Sequence, residues 1–220
     1  MNGIAFSVRP GEVLGLIGPN GSGKTTLFEC LAGVLPADAG RVLHRDRPLS
    51  ATERSLLLFY LPDAIVPWPA QRTRWAIEFT VDFFGGDRSA VPTIVRRLDL
   101  EPFLEVPIGQ LSKGQRKRAL LAMGLLTPHP VLLADEPFDG LDLRQSRELA
   151  VALRDAAARG RTLFLSIHQI ADAARVCDRF VLLSSGSVCG EGTRDQLASL
   201  AAAKGLKTAT DLEEVFLALT

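Results

Sequence analysis

The chain has 220 residues, 47% of them hydrophobic, which is enough for a sizeable core of the α/β kind. Lys and Arg (25) balance Asp and Glu (25), so the net charge is zero and the basic excess that general nucleic-acid binding relies on is missing; no nucleic-acid partner is expected. No apolar run reaches membrane-spanning length, Arg9-Pro10-Gly11-Glu12 breaks any signal-peptide layout, and Cys30, Cys177 and Cys189 are too far apart for a metal motif and read as buried or free thiols of a reducing cytosol.

Ile4, Phe6 and Val8 alternate with smaller or polar residues, which predicts a half-buried strand. Pro10-Gly11-Glu12 turns the chain into the apolar run Val13 to Ile17, a buried strand, and a helix follows from about Lys24 to Gly33. Leu56 to Leu61 reads as a second apolar strand ending at Pro62. From about 63 to 126 the pattern turns helical, with Thr73 to Phe84 and Val91 to Leu98 at helical spacing and prolines 62, 67, 69, 92, 102 and 107 in the loops. Trp68, Trp75, Phe79, Phe83 and Phe84 make this insert aromatic-rich; most are expected in the core, with Trp68 the first candidate for a partner contact. Strands then follow at Val131 to Ala134, Thr162 to Ile167, Phe180 to Leu183 and Ser187 to Cys189. Helices fall between them at Leu143 to Arg159 and Ile170 to Val176, and a helical tail begins at Thr193. Strands alternating with helices imply a largely parallel sheet covered on both faces.

The run Gly18-Pro19-Asn20-Gly21-Ser22-Gly23-Lys24-Thr25-Thr26 fits Gly-x-x-x-x-Gly-Lys-Ser/Thr, between a strand and a helix. Glycines there let successive backbone N–H groups converge, and the positive helix end adds to the attraction for a polyphosphate. Asn20, Gly21, Ser22 and Gly23 form the cradle, Lys24 reaches the β- and γ-phosphates, Thr25 offers a hydroxyl to Mg²⁺, and Thr26 adds a phosphate contact. Asp135, just past an apolar strand, is the candidate Mg²⁺ carboxylate. Its neighbour Glu136 is the candidate general base for the attacking water. Leu111-Ser112-Lys113-Gly114-Gln115 opens another helix, with Ser112 as N-cap, and offers a second positive helix end.

In this order the phosphate loop, Leu111 to Gln115, Leu132 to Pro137, Gly140-Leu141-Asp142 and His168 closely resemble the ATP-binding cassette (ABC) ATPase domain of ABC transporters. The likeness covers nearly the whole chain. It implies one ABC ATP-binding domain over 1–220: a P-loop NTPase with a mainly parallel sheet, a small N-terminal antiparallel β part and a helical subdomain at about 63–126. It also implies ATP and Mg²⁺ as cofactors, and a head-to-tail pair with a second ABC subunit. In that pair Ser112, Gly114 and Gln115 serve the partner's ATP, Asp142 bridges the two sites, and His168 holds the γ-phosphate and the water. A transmembrane permease would be the other partner, leaving this chain peripheral on the cytoplasmic face of the membrane.

Three departures from the family pattern stand out. Asp63 replaces the usual Gln after the Tyr60-Leu61-Pro62 strand end; metal ligation and a solvated loop Asp both remain open, and a free carboxylate near the γ-phosphate would add repulsion. Lys113 replaces a Gly and is read as pointing to solvent. The family's upstream strand and adenine-stacking aromatic find no match in this sequence, so either the true start lies upstream of Met1 or the adenine is held more loosely; Phe6 suits a core position better. Asp211 to Thr220 is similar to the endings of export-type subunits. The leading reading is a transport motor. The runner-up is a nucleotide-gated regulatory module with little hydrolysis, and a soluble ABC ATPase of DNA repair or translation ranks last.

Overall fold

The computed structural model describes residues 1, 3–203 and 212–219. Strand β1 (Val13–Ile17) leads through a glycine loop into α1 (Lys24–Ala32). A short antiparallel ribbon, β2 (Leu43–His44) with β3 (Arg47–Pro48), precedes α2 (Ala51–Leu57) and β4 (Leu58–Leu61). Next come three helices, α3 (Thr73–Phe84), α4 (Val91–Arg97) and α5 (Lys113–Leu126). Helices and strands then alternate: β5 (Val131–Asp135), α6 (Leu143–Ala158), β6 (Thr162–Ile167), α7 (Ile170–Val176) and β7 (Arg179–Ser184). Strand β8 (Ser187–Gly192), α8 (Arg194–Ala203) and α9 (Leu212–Leu219) complete the described chain.

The main sheet has the order β4-β5-β6-β1-β7-β8. Its strands are parallel except β8, which returns antiparallel to β7 through a turn with Ser185 and Gly186 at φ 47° and 73°. Side chains divide between the two faces by strand alternation. Leu14, Leu16, Leu133 and Phe164 pack with Leu27 and Phe28 of α1, while Val13, Ile17, Leu132, Leu163 and Leu165 pack on the opposite side. Continuous apolar strands are what two covered faces require. The parallel register sets Ile17 opposite Ile167, Leu61 opposite Ala134 and Asp135 opposite Ser166. The C-terminal ends of β4, β5, β6 and β1 therefore lie along one edge, the usual ligand edge of such sheets.

Three expectations need correction. The strand predicted from Leu56 starts at Leu58, because Ser50 and Glu53 form a capping box that carries a helix through Leu57. Leu56, the first residue of that expected strand, is 71% exposed. Ile4, Phe6 and Val8 form no strand. Ile4 and Phe6 rest on the Phe164 side of the core, and Ser7's backbone groups face the side chains of Glu191 and Arg179 instead of a ladder. The aromatic residues of the insert are not core residues either. Helix α3 buries Thr73, Ala76, Ile77, Thr80 and Val81, which turns Trp75, Phe79 and Phe83, four residues apart, to the surface. The predicted tail forms α8 and α9; its residues 204–211 and 220, Asp211 and Thr220 among them, lie outside the described residues.

Candidate nucleotide and metal site

The loop from Gly18 to Gly23 joins β1 to α1 at the ligand edge. Gly21 and Gly23 hold φ of 79° and 102°, which glycine adopts without penalty. A Cβ at Gly18 would stand 2.4 Å from the Leu183 carbonyl oxygen and 2.5 Å from Ser22 Oγ. Gly23 is the N-cap of α1 and supplies no side-chain cap, so the helix's first N–H groups stay available. The buried Lys24 ammonium curls back over the loop, 2.8 Å from Gly18 O and 3.3 Å from Pro19 O. Ser22 Oγ is buried without a partner, while Asn20, Gly21, Thr25 and Thr26 face solvent. A buried hydroxyl in want of a partner, open amides and a cation converge where a phosphate would supply acceptors.

Asp135 ends β5 beside this loop. Its Oδ2 accepts from Thr25 Oγ1 at 2.6 Å, and its Oδ1 accepts from Ser166 Oγ. Two hard oxygen donors in contact suit Mg²⁺, which takes its remaining ligands from phosphate and water. Glu136 follows with φ 47°, a left-handed conformation that costs a non-glycine residue about 1–3 kcal/mol and is often stored at working sites. Its backbone N–H donates to Ser166 Oγ at 3.0 Å and lies 3.2 Å from Ser166 O. The carboxylate spans two partners: Oε1 lies 3.5 Å from Lys24 Nζ, and Oε2 lies 2.5 Å from His168 Nδ1 and accepts from His168 N at 3.2 Å. The edge thus joins Lys24, Thr25, Asp135, Glu136 and His168. Ser166, fully buried and tied to both acidic residues, is a member that sequence reasoning missed.

Ser112, Gly114 and Gln115 form a different surface at the tip of α5. Ser112 and Gln115 close a capping box, with Gln115 N donating to Ser112 Oγ at 3.3 Å and Ser112 N to Gln115 Oε1 at 2.8 Å. Gly114 is needed for packing, since a Cβ there would sit 2.6 Å from Gly140 O. Asp142 spends its carboxylate capping α6, accepting from Gln145 N at 2.8 Å. Lys113 is exposed, in line with the expectation, and at the surface it pairs with Asp139 at 2.5 Å, which raises the lysine pKa and lowers that of the aspartate.

Asp63 has a partner that the sequence did not single out. Its Oδ1 accepts from Lys117 Nζ, whose side chain is 5% exposed and lies 3.4 Å from Asp135 O. The charge expected to repel phosphate is offset from within α5 rather than by Lys24 or a metal.

A glycine loop with a buried lysine, a strand-end Asp-Glu pair and a facing histidine define the site. The family model described as ABC transporter matches residues 1–139. The chain belongs to the ABC transporter family. It is 34% identical over 209 residues to the Nod factor export ATP-binding protein I of Bradyrhizobium diazoefficiens, covering 90% of this chain and 66% of that protein. This chain therefore spans just under two thirds of that relative. It is 37% identical over 206 residues to the Hemin import ATP-binding protein HmuV of Streptomyces coelicolor, covering 87% of this chain and 72% of that protein. Among solved structures it is similar to an ATP binding subunit of an ABC transporter, with a TM-score of 0.85 and 28% identity over 97% of this chain and 90% of that one. A dimeric ATP-binding cassette in a post-hydrolysis state with ADP and Pi shares its fold, with a TM-score of 0.75 and 23% identity over 86% and 88%.

Proposed function

We propose that this chain is the ATP-hydrolysing subunit of a transporter and powers export through a separate membrane subunit. The observation that carries the reading is the Lys24–Glu136–His168 arrangement beside a phosphate loop. In it Asn20, Gly21, Ser22, Gly23 and Thr26 hold the phosphates, and Lys24 neutralises them. Thr25 and Asp135 hold Mg²⁺, which offsets charge on the β- and γ-phosphate oxygens when bound. Glu136 accepts the proton of the attacking water, and His168 orients Glu136 and contacts the γ-phosphate. Asp63, the third candidate for the metal, is drawn to Lys117.

Ser112, Gly114 and Gln115 serve the ATP of a second cassette, the positive end of α5 completing the partner's site. Since one chain carries both halves, two copies suffice, and a pair with a different cassette is equally served. The whole chain acts as one domain, with the segment from about 63 to 126 as its helical part. No helix among the described residues is long and apolar enough to cross a membrane. In this reading the permease is a partner subunit, and this chain sits on the membrane's inner face through it. The exposed stripe of Trp68, Trp75, Phe79 and Phe83 is the surface assigned to that contact. Export is favoured by the relatives named for Nod factor export and by the likeness of the C-terminal tail to export-type subunits. A solute-binding protein encoded beside this chain would reverse the direction.

The test is phosphate release from Mg²⁺-ATP by this chain with its co-purified membrane partner. Sustained turnover abolished by Lys24→Ala supports the motor. ATP binding with no turnover in that complex favours the regulatory module.

A further inference from the structure

We propose that Lys117 is a positioning residue for the metal end of the site, holding Asp63 as a neutral ion pair away from the metal. This rests on the reading of the site as one for Mg²⁺-ATP. A lysine ammonium has three donors. Within reach of Lys117 Nζ are three acceptors: Asp63 Oδ1, Asp63 O at 3.5 Å and Asp135 O at 3.4 Å. The lysine side chain is almost fully enclosed, while that of Asp63 keeps a third of its surface. Turning the Asp63 carboxylate toward a metal would strip a buried cation of its only carboxylate partner among the described residues, and an uncompensated buried charge is strongly destabilising.

The pair also spans three elements. Asp63 follows β4, Lys117 stands one turn and a half along α5 from Ser112, and the Asp135 carbonyl belongs to β5. The lysine thus ties the backbone beneath the metal carboxylate to the loop after β4. Asp63 then contributes neutral polarity near the terminal phosphate, and Thr25 and Asp135 are the side chains left to ligate the metal.

The test compares the dissociation constant of a slowly hydrolysed ATP analogue in EDTA and in saturating Mg²⁺, by calorimetry on the full chain. The ratio of the two reports how strongly the protein's own groups hold the metal. Asp63→Asn alone would leave the Lys117 cation unpaired, so the charge-neutral comparison is the double variant Asp63→Asn with Lys117→Gln, which is expected to leave that ratio within about twofold. Lys117→Gln alone releases the carboxylate and raises the ratio by about three- to tenfold, and adding Asp63→Asn to it brings the ratio back to the original value. In the nucleotide-free protein Asp63→Ala lowers the melting temperature, and adding Lys117→Gln restores most of it.

A drop of about tenfold or more in the double variant would make Asp63 a direct ligand and overturn the inference. So would a Lys117→Gln protein with an unchanged ratio, or one whose shift persists without the aspartate. If Lys117→Gln does not fold on its own, the double variant alone decides. Failure of the unsubstituted chain to bind the analogue at all would instead overturn the nucleotide reading, and this inference with it.

Discussion

Glu136 and His168 meet across the ends of β5 and β6, with Oε2 2.5 Å from Nδ1 and the His168 backbone N–H 3.2 Å from the same oxygen. Two donors on one carboxylate oxygen leave Oε1 directed at Lys24, 3.5 Å away. The left-handed backbone at Glu136 is what brings its carboxylate between the two. Glu136→Gln keeps the shape and removes the proton acceptor. Phosphate release should fall about 10²–10⁴-fold, the usual worth of a general base, while ATP binding persists. ATP-dependent dimers seen by light scattering should then become longer-lived. Unchanged turnover would remove Glu136 from the role.

Lys24→Ala removes the cation over the loop. Charged hydrogen bonds contribute about 1.5–3 kcal/mol each, so ATP affinity should fall at least about tenfold. The nucleotide-free protein should not unfold in consequence, since the lysine's loop contacts are to backbone carbonyls that water can reach once the side chain is gone. Calorimetry with Mg²⁺-ATP and a melting curve measure the two effects separately.

Gly114→Ala tests the α5 tip without touching the phosphate loop. The added Cβ falls 2.6 Å from a backbone oxygen, Gly140 O, so α5 or the Gly140 turn must shift. Overpacking of this kind costs about 1–3 kcal/mol. ATP binding by the single chain should survive, whereas ATP-dependent pairing and turnover should be lost. Pairing at unsubstituted strength would show that this tip plays no part in a shared site.

Phe83 is 69% exposed at the end of the aromatic stripe, 5.8 Å from the Phe79 ring. Phe83→Ser should leave the unfolding free energy within about 0.5 kcal/mol of the original, as exposed substitutions do. Co-purification of the membrane subunit should fall sharply. Retained capture would move the docking surface elsewhere.

The chemistry-bearing loops were legible because they follow apolar strands with little ambiguity: Val13 to Ile17, Val131 to Asp135 and Thr162 to Ile167 are fully or nearly fully buried, and their registers bring Lys24, Asp135 and His168 to one edge. The helix periodicity of Thr73 to Phe84 was also legible, but its orientation was not. Both faces of α3 are apolar, and only packing against α5 decides that Ile77 and Val81 go in and Phe79 and Phe83 stay out. Leu56 misled because six apolar residues in a row satisfy strand and helix alike, and the deciding Ser50–Glu53 box lies outside that run. Lys117 and Ser166 carried no local signal. A lysine in a basic run reads as solvated, and a serine in a strand reads as filler, until the fold sets one against Asp63 and the other against Asp135.

His129 supplies a pH-dependent prediction. Its ring lies 5.3 Å from Phe59 and 5.1 Å from Phe84, its Nδ1 is buried without a partner, and Arg161 is near. Burial first, and the arginine second, push its pKa below the ordinary 6.5. In the pH range between the folded and unfolded values the unfolded chain binds more protons, so stability rises with pH there. The contribution is complete above 6.5 and is lost as the pH falls toward the folded value, below which the loss levels off. His129→Phe keeps the ring contacts and removes the titration. The melting temperature of the original protein should fall faster between pH 7 and 5.5 than that of the variant, and equal slopes would show that His129 is protonated as readily in the fold as out of it.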